Sequence, residues 1–324
     1  MVNNGNFFDP RFGKRPAFFA GRDDVLRDIR AALADPEEQY RVTILSGIKG
    51  SGKSSIMAEV RLAPGVDGLA FAELKEGEEI PASASPIEPE SGTTTVFLID
   101  DVYASIPGLV GFLADFSKRV QEGADIKLIL AGLPHCIDEL LKDGRTPFLR
   151  RARRIMLGNL RTDEVMALFA EAFAMGGTVG DRENVLRRAA EATAGYPYMV
   201  QLIGYYLSKE KDIDDKATDK AIFLGKTELY KNIHDPLVWS LSSKDRMFLW
   251  VMAQDEGPSE FGEIARRMNV SAGYASKYRE RLINAGVIYS SAYGELAYTL
   301  PFMREYVEKE FIELFGGEGG KRRL

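Results

Sequence analysis

Short apolar runs divided by polar, glycine-containing stretches organise the first half of the chain. Residues 41–46 (Arg41-Val42-Thr43-Ile44-Leu45-Ser46), 68–74, 96–99 and 126–131 are rich in β-branched and apolar side chains and too short for helices. They predict buried strands, and 154–157 predicts a last one. Between them, Val25, Ile29, Ala32 and Leu33 recur at helical spacing, with Asp23 or Asp24 as the expected cap. Further helices are predicted over 54–60, 110–120 and 136–141. Strands alternating with helices in this way predict an α/β class domain, a mostly parallel sheet covered on both faces. Residues 75–95 are acidic, rich in proline and serine and without apolar period, which predicts a loop.

Beyond residue 158 the strand pattern stops and helical periodicity takes over. Thr162 is the expected cap of a helix that carries Val165, Leu168, Phe169 and Phe173 on one face, and helices are predicted over 183–194, 199–207 and 216–229. A third pattern then begins: helices over 244–253, 260–268 and 272–285, followed by a hairpin of 287–290 and 295–299 with Tyr293-Gly294 in its turn. The organisation expected is an arm (1–16), an α/β core (17–158), a helical subdomain (159–240), a winged helix-turn-helix (241–312) and a flexible tail (313–324).

Composition narrows the chemistry. A chain of 324 residues with 45% apolar and 28% charged side chains has material for several cores. Its net charge of −6 means that any nucleic-acid contact must come from a local patch. Cys136 is the single cysteine, and His135 and His234 are the only histidines, so no internal disulfide, cysteine zinc site or His-dependent triad is expected. The N-terminus has no basic-then-apolar leader and no apolar run reaches membrane-spanning length. A cytoplasmic protein with no membrane partner is the expectation.

The strongest local signal is Gly47-Ile48-Lys49-Gly50-Ser51-Gly52-Lys53-Ser54, directly after a predicted strand and running through Ser55 into a predicted helix. Glycines let the backbone curl so that successive N–H groups face one anion, and the helix N-terminus adds its positive end. In such a P-loop Lys53 would reach the β- and γ-phosphates and Ser54 would ligate Mg²⁺. Such a site also needs a carboxylate on a neighbouring strand end. Asp100, after 96–99, suits the metal, and Asp101 could orient an attacking water.

The constellation resembles the prokaryotic P-loop ATPases of the AAA+ and STAND group, particularly those with an origin-recognition-like domain followed by a winged helix. Phe19-Ala20-Gly21-Arg22-Asp23-Asp24 resembles the motif that packs near adenine in that group. Asp100-Asp101 resembles its doubled Walker-B acid, and Leu130-Ala131-Gly132-Leu133-Pro134 the strand that ends beside the γ-phosphate. Gly195-Tyr196-Pro197 resembles the Gly-x-Pro motif of a helical lid. The resemblance implies ATP rather than GTP, a nucleotide shared with Tyr196 and Pro197 of the lid, and ATPase activity. Two departures from the group's pattern, Ala131-Gly132 where a polar sensor is common and no arginine in the lid helix, imply turnover that is slow or partner-dependent. The resemblance also puts an arginine finger, acting on the nucleotide of a neighbouring copy, in the region of Arg150-Arg151-Ala152-Arg153-Arg154, with Arg150 and Arg151 the first choices. The bland alternative is a solvated basic face.

In the third unit, Ile264, Ala265, Met268, Leu282, Ile283 and Val287 are expected to face inward, with Ser271 capping the last helix. Tyr274, Ser276, Lys277, Tyr278, Arg279 and Arg281 are then placed to meet phosphates or base edges; Tyr274, Ser276, Lys277 and Arg279 are the first candidates. Glu260, Glu263 and Glu280 near this surface weaken its positive field. The function expected is a nucleotide-controlled switch that binds ATP or ADP and presents the winged helix to duplex DNA. Its rival is a STAND-type signalling switch whose winged helix binds protein or drives self-assembly. His234 and the His135-Cys136 pair are expected to be structural or surface residues.

Overall fold

The computed structural model describes residues 7–11, 19, 21–35, 40–62, 69–74, 94–175 and 183–315. Most of the expected arm, nearly all of the acidic loop and the tail beyond residue 315 lie outside these. The chain forms two compact units, Met1–Val179 and Gly180–Leu324.

The first unit is built on five parallel strands: β1 (Val42–Ser46), β2 (Leu69–Leu74), β3 (Thr94–Ile99), β4 (Ile126–Gly132) and β5 (Arg153–Met156). Their order is β2-β3-β4-β1-β5. The helices are α1 (Asp23–Ala34), α2 (Lys53–Arg61), α3 (Leu109–Gln121), α4 (Pro134–Lys142) and α5 (Thr162–Met175). Strand alternation sends Val42, Ile44, Phe97, Ile99, Ile126, Leu128 and Leu130 to one face, where they pack with Phe112, Phe116, Ile137 and Leu140 of α3 and α4. Leu45, Val96, Leu98, Ile129 and Ala131 point the other way, onto Leu26, Ile29, Ile56 and Val60 of α1 and α2. Both sheet faces are therefore dry, as a parallel sheet requires. The helix cap expected at Asp23 or Asp24 falls instead on Arg22, and both aspartates occupy the first turn, where the helix dipole favours negative charge. Thr162, also expected as a cap, is the first residue of α5.

Two polar or irregular residues are put to structural use here. Lys127 is buried on the α1 side, and its ammonium donates to the carbonyls of Ala32, Leu33 and Asp35 at 2.8, 2.9 and 2.7 Å. A strand residue thus satisfies carbonyls at the end of α1. Phe8, from the segment expected to be an irregular arm, is fully buried between Phe169 and Phe173 of α5, with ring centroids 5.6 and 5.7 Å away.

The second unit contains α6 (Glu183–Ala192), α7 (Pro197–Leu207) and α8 (Asp215–Leu229), which runs through one π-helical turn, Tyr230–His234, into α9 (Asp235–Trp239). His234 is fully buried, as a structural residue should be; no partner is found for either ring nitrogen among the described residues, and burial lowers its pKa to about 3. Next come α10 (Ser243–Ala253), β6 (Ser259–Glu260), α11 (Phe261–Arg267), α12 (Ala272–Asn284), β7 (Ile288–Ala292), β8 (Glu295–Tyr298) and α13 (Met303–Phe315). The three strands form an antiparallel sheet in the order β6-β8-β7. Asn269 takes a left-handed φ of 54° in the turn between α11 and α12, and Ser271 caps α12 by accepting from the Tyr274 amide.

The core of this unit corrects two expectations. Ala275, Tyr278 and Leu282 form the buried stripe of α12, whereas Ile283 is 36% exposed. Ile283 lies one residue past the stripe, about 100° round the helix, so its apolar character does not bring it inward. Tyr278, counted among the groups facing a partner, is one of the buried set. Arg281 is also committed, since its guanidinium bonds the buried Asp245 carboxylate at 2.6 Å.

Asp245 is the residue on which this packing turns. It completes a capping box with Ser242 at the start of α10 and takes Arg281 from α12. Asp245→Ala removes the box and the bond to the half-exposed Arg281, an expected loss of about 1 kcal/mol or more. Urea unfolding followed by tryptophan fluorescence checks this cleanly, because both tryptophans, Trp239 and Trp250, belong to this unit.

Candidate functional site

The register of the parallel sheet sets the position of the glycine-rich loop. Ser46, at the end of β1, stands beside Gly132 of β4 on one side and Met156 of β5 on the other. The chain then leaves the sheet through Gly47, whose amide donates to the Gly132 carbonyl at 3.3 Å, while Leu157 donates to Ser46 at 2.7 Å. A side chain at 47 has no room: its Cβ would lie 2.4 Å from Ser51 Oγ and 3.2 Å from both Cβ and the carbonyl oxygen of Leu157. Gly50 and Gly52 take left-handed φ values of 75° and 94°, which curl the loop into the start of α2. No side chain caps that helix, so the first-turn N–H groups from Lys53 to Ser55 keep their donor capacity. Ser51 is buried with no hydrogen-bond partner for its hydroxyl among the described residues. A curled backbone, an uncapped helix start and an orphaned hydroxyl together make a cradle for an anion.

Lys53 is folded into this cradle. It is 5% exposed, and its ammonium donates to the carbonyls of Gly47 and Ile48 at 3.0 and 3.1 Å. Burial lowers its pKa, and the negative charges of Asp101 and Asp100, in that order, oppose the shift. The lysine is thus held by neutral acceptors with two carboxylates acting on it. Lys49 and Ser54 are exposed, and Ile48 and Ser55 are half-buried.

Asp100 and Asp101 follow β3 at this same end of the sheet, with β4 lying between their strand and β1. Asp101 has a left-handed φ of 49°, and its amide is held by Asp100 Oδ1 at 2.9 Å. The turn is fastened when the Val102 amide donates to the Ala131 carbonyl at 2.9 Å. That docking explains the glycine at the tip of β4, since a Cβ on Gly132 would lie 3.0 Å from the Val102 oxygen and side chain. A side chain at that position would be crowded by the Val102 turn. Among the described residues no three carboxylate, histidine or cysteine side chains converge on a metal position. The oxygens of Ser54 and Asp100 nonetheless suit Mg²⁺, which takes few protein ligands and shares the rest with phosphate.

Gly21 and Arg22 approach from the other side of the loop. Arg22 donates to the Gly158 carbonyl, one residue beyond the Leu157 that packs on Gly47. Gly21 takes φ 73°, and a Cβ there would lie 2.8 Å from Leu160. Burial lowers the Arg22 pKa, and Glu164 opposes the shift.

One group near the cradle escaped the sequence reading. The first turn of α4 carries His135 and Cys136, whose side chains are 3.3 Å apart. Cys136 interacts electrostatically with both Asp101 and Lys53, so it belongs to this end of the sheet; burial, Glu139 and Asp101 raise its pKa. The only sequence signal is position: a helix starting directly after a strand that neighbours the P-loop strand.

Arg150 and Arg151 are not brought to this loop. They end a 3₁₀ turn, Pro147–Arg151, that precedes β5, whereas the cradle lies where β5 finishes. The four-residue strand puts roughly 13 Å between the two ends, so these arginines cannot serve the loop of their own chain. In the second unit, Tyr196 is fully buried and Pro197 opens α7. On α12, Tyr274 and Lys277 are exposed while Ser276 is half-buried. Arg279 is half-buried too, its guanidinium 4.6 Å from the Phe261 ring centroid. Glu263 is paired with Arg266 at 2.7 Å. No helix among the described residues is long and apolar enough to cross a membrane.

A family model described as "Domain of unknown function (DUF8462)" matches residues 231–307. No curated protein matches the chain. Among solved structures, a Walker-type ATPase of Pyrococcus abyssi aligns with a TM-score of 0.70 at 17% identity, over 93% of this chain and 99% of that one. The Aeropyrum pernix ORC2 protein in its ADP form aligns with a TM-score of 0.56 at 13% identity, over 94% and 98%. Cdc6p from Pyrobaculum aerophilum aligns with 0.50 at 14%, over 95% and 97%. The fold is that of the origin-recognition-like P-loop ATPases, as the sequence motifs imply.

The neighbourhood of Cys136 gives a direct check on the cradle. Alkylation of this single thiol by iodoacetamide is expected to slow several-fold when a nucleoside triphosphate with Mg²⁺ saturates the protein. An unchanged rate would put the first turn of α4 outside the site.

Proposed function

We propose that the chain is an ATP-binding P-loop ATPase that works as a nucleotide-controlled switch. The observation that carries this reading is Lys53, buried in the curled loop, held by the Gly47 and Ile48 carbonyls, and acted on by Asp100 and Asp101. On binding, the ammonium leaves those carbonyls for the β- and γ-phosphates, and the loop amides and the α2 N-terminus close on the same oxygens. Ser54 and Asp100 would hold Mg²⁺, which when bound offsets the charge that develops on the phosphates. Asp101 orients the attacking water. It is one methylene shorter than the glutamate common in this role, and Gly132 leaves no polar side chain at the tip of β4, so turnover is expected to be slow. Gly21 and Arg22 sit against the segment after β5 and are proposed to border the base.

The α10–α12 helices with the β7–β8 hairpin are proposed to be a winged helix that meets duplex DNA through Tyr274, Ser276, Lys277 and Arg279. A second reading, docking of a protein partner, is favoured by the apolar groups this unit leaves open: Tyr289 and Tyr293 on the hairpin are both exposed, as is Ile283.

Lys53→Ala is expected to abolish ATP binding. In the wild type, a nucleotide at one hundred times its Kd adds about 2.7 kcal/mol of stability, so calorimetry and thermal unfolding read the same site independently. Equal ATP affinity in Lys53→Ala and wild type would end the phosphate-site reading. Asp101→Asn is expected to retain ATP affinity and lose about a hundredfold or more in turnover, the range for a group acting on the nucleophile; unchanged phosphate release would remove Asp101 from that role.

A further inference from the structure

At the end of the sheet opposite the cradle, the chain gathers positive charge that the nucleotide site does not use. Arg150 and Arg151 close the 3₁₀ turn and Arg153 and Arg154 open β5, four guanidinium groups within five residues. β5 is an edge strand. Charged side chains on an edge are an ordinary defence against sheet-to-sheet pairing, but one or two suffice for that. Here the charge begins before the strand does.

Two of these arginines, Arg150 and Arg154, are oriented by main-chain carbonyls. Arg150 Nε donates to the Leu141 carbonyl at 3.0 Å, and Arg154 donates to the Arg150 carbonyl at 3.3 Å. Arg150, Arg151 and Arg154 are exposed and have no carboxylate partner among the described residues. Nearby acids are occupied elsewhere: Asp125 pairs with Arg41 at 3.0 Å and Asp143 with Arg145 at 2.7 Å. Arg153 lies with its guanidinium 5.7 Å from the ring centroid of Tyr40, which is itself 38% exposed. Tyr40, Arg153, Arg154 and the β5 backbone line a cavity of about 560 Å³, with Asp28 the one carboxylate among its lining residues. On a chain of net charge −6, this is a local reversal of sign.

We infer that the β5 edge, with Arg150, Arg151, Arg153, Arg154 and Tyr40, is a nucleic-acid contact of the ATPase core, separate from the helix-turn-helix. Guanidinium groups fixed by neutral carbonyls keep their full charge for phosphodiester oxygens, which they meet with charge-assisted hydrogen bonds. The cavity is of nucleotide size, and the Tyr40–Arg153 pair borders it. This assignment does not rest on the winged helix binding DNA.

The test is titration of fluorescein-labelled 20-mers, duplex and single-stranded, with the full chain at several salt concentrations. Arg151→Glu/Arg154→Glu is expected to weaken binding at least about tenfold and to lower the slope of log affinity against log salt by about 2, one phosphate contact for each arginine. Arg151→Lys/Arg154→Lys, which keeps the charge, is expected to retain most of the slope. The same loss is expected on top of Lys277→Ala/Arg279→Ala, whose own effect reports on the helix-turn-helix; if only that pair weakened binding, the inference would be overturned. It would also be overturned if the charge reversal left affinity and slope unchanged at an unchanged Tm. A loss confined to ATP turnover or self-association would make the edge a subunit contact, and would overturn it equally. A stronger effect on single strands than on duplex would identify Tyr40 as a stacking platform, and Tyr40→Ala should then abolish that difference.

Discussion

The fold depends on one narrow exit. Where β1 leaves the sheet it is pinned on both sides, by the Gly47–Gly132 hydrogen bond to β4 and by Leu157 of β5 bonding Ser46. Nothing larger than hydrogen fits at Gly47, because Ser51 and Leu157 already fill the space. The loop must therefore turn at once, and two left-handed glycines complete that turn into α2. Every other feature of the site takes its place from this exit: the helix start aims its free N–H groups back at the loop, and Lys53 returns to the carbonyls it has just left behind. A parallel sheet dry on both faces holds the strand ends rigidly enough to keep such a tight turn in place.

The same exit explains why the site is poised rather than inert. Lys53 is removed from water and given two neutral carbonyls, a modest return for burying an ammonium. The two carboxylates after β3 act on it electrostatically. Asp101 is further held in a left-handed conformation that its own neighbour, Asp100, props by a hydrogen bond. An anion arriving with its own counter-cation would satisfy the lysine, the loop amides and the Ser51 hydroxyl together. Part of the free energy of binding such an anion would thus be prepared in the loop in advance.

Local chemistry made much of this legible before the structure. Glycine spacing after a β-branched run located the loop, and short continuous apolar runs located strands, because both signals lie within a few residues of one another. The strand order was not legible: β4 sits between β1 and β3 although it follows both in sequence, and only non-local pairing decides that. That order is what carries the first turn of α4, and with it Cys136, to the same end of the sheet as the cradle. Period failed more subtly on α12. Ala275, Tyr278 and Leu282 hold the buried stripe, and a tyrosine counted as a partner-facing group is inside while the isoleucine beside Leu282 is outside. Hydrophobicity ranks residues; the 100° step between neighbours decides which of two adjacent ones can reach the core. The lack of a polar group at Gly132 was visible in the sequence, but its cause, the Val102 turn packed against it, was not.

Charge distribution settles how a chain of net −6 could meet an anionic partner at all. At long range such a protein repels a polyanion, and only contacts within about one Debye length, roughly 8 Å at physiological salt, can reverse that. The surface of α12 offers Tyr274 and Lys277 but also Glu280 nearby, and Arg281 is tied to Asp245, so its positive field is thin. The β5 edge is the opposite case, since Arg150 and Arg154 are held by main-chain oxygens that leave their charge intact. Two weak surfaces on one chain can bind a long polyanion that neither holds alone, because the second contact becomes intramolecular once the first is made. A nucleotide that changed how the two are presented would then control binding without touching either one. That is a physical route from a phosphate clamp to a switch, and it needs only that the two surfaces engage one strand together in one nucleotide state and not in the other.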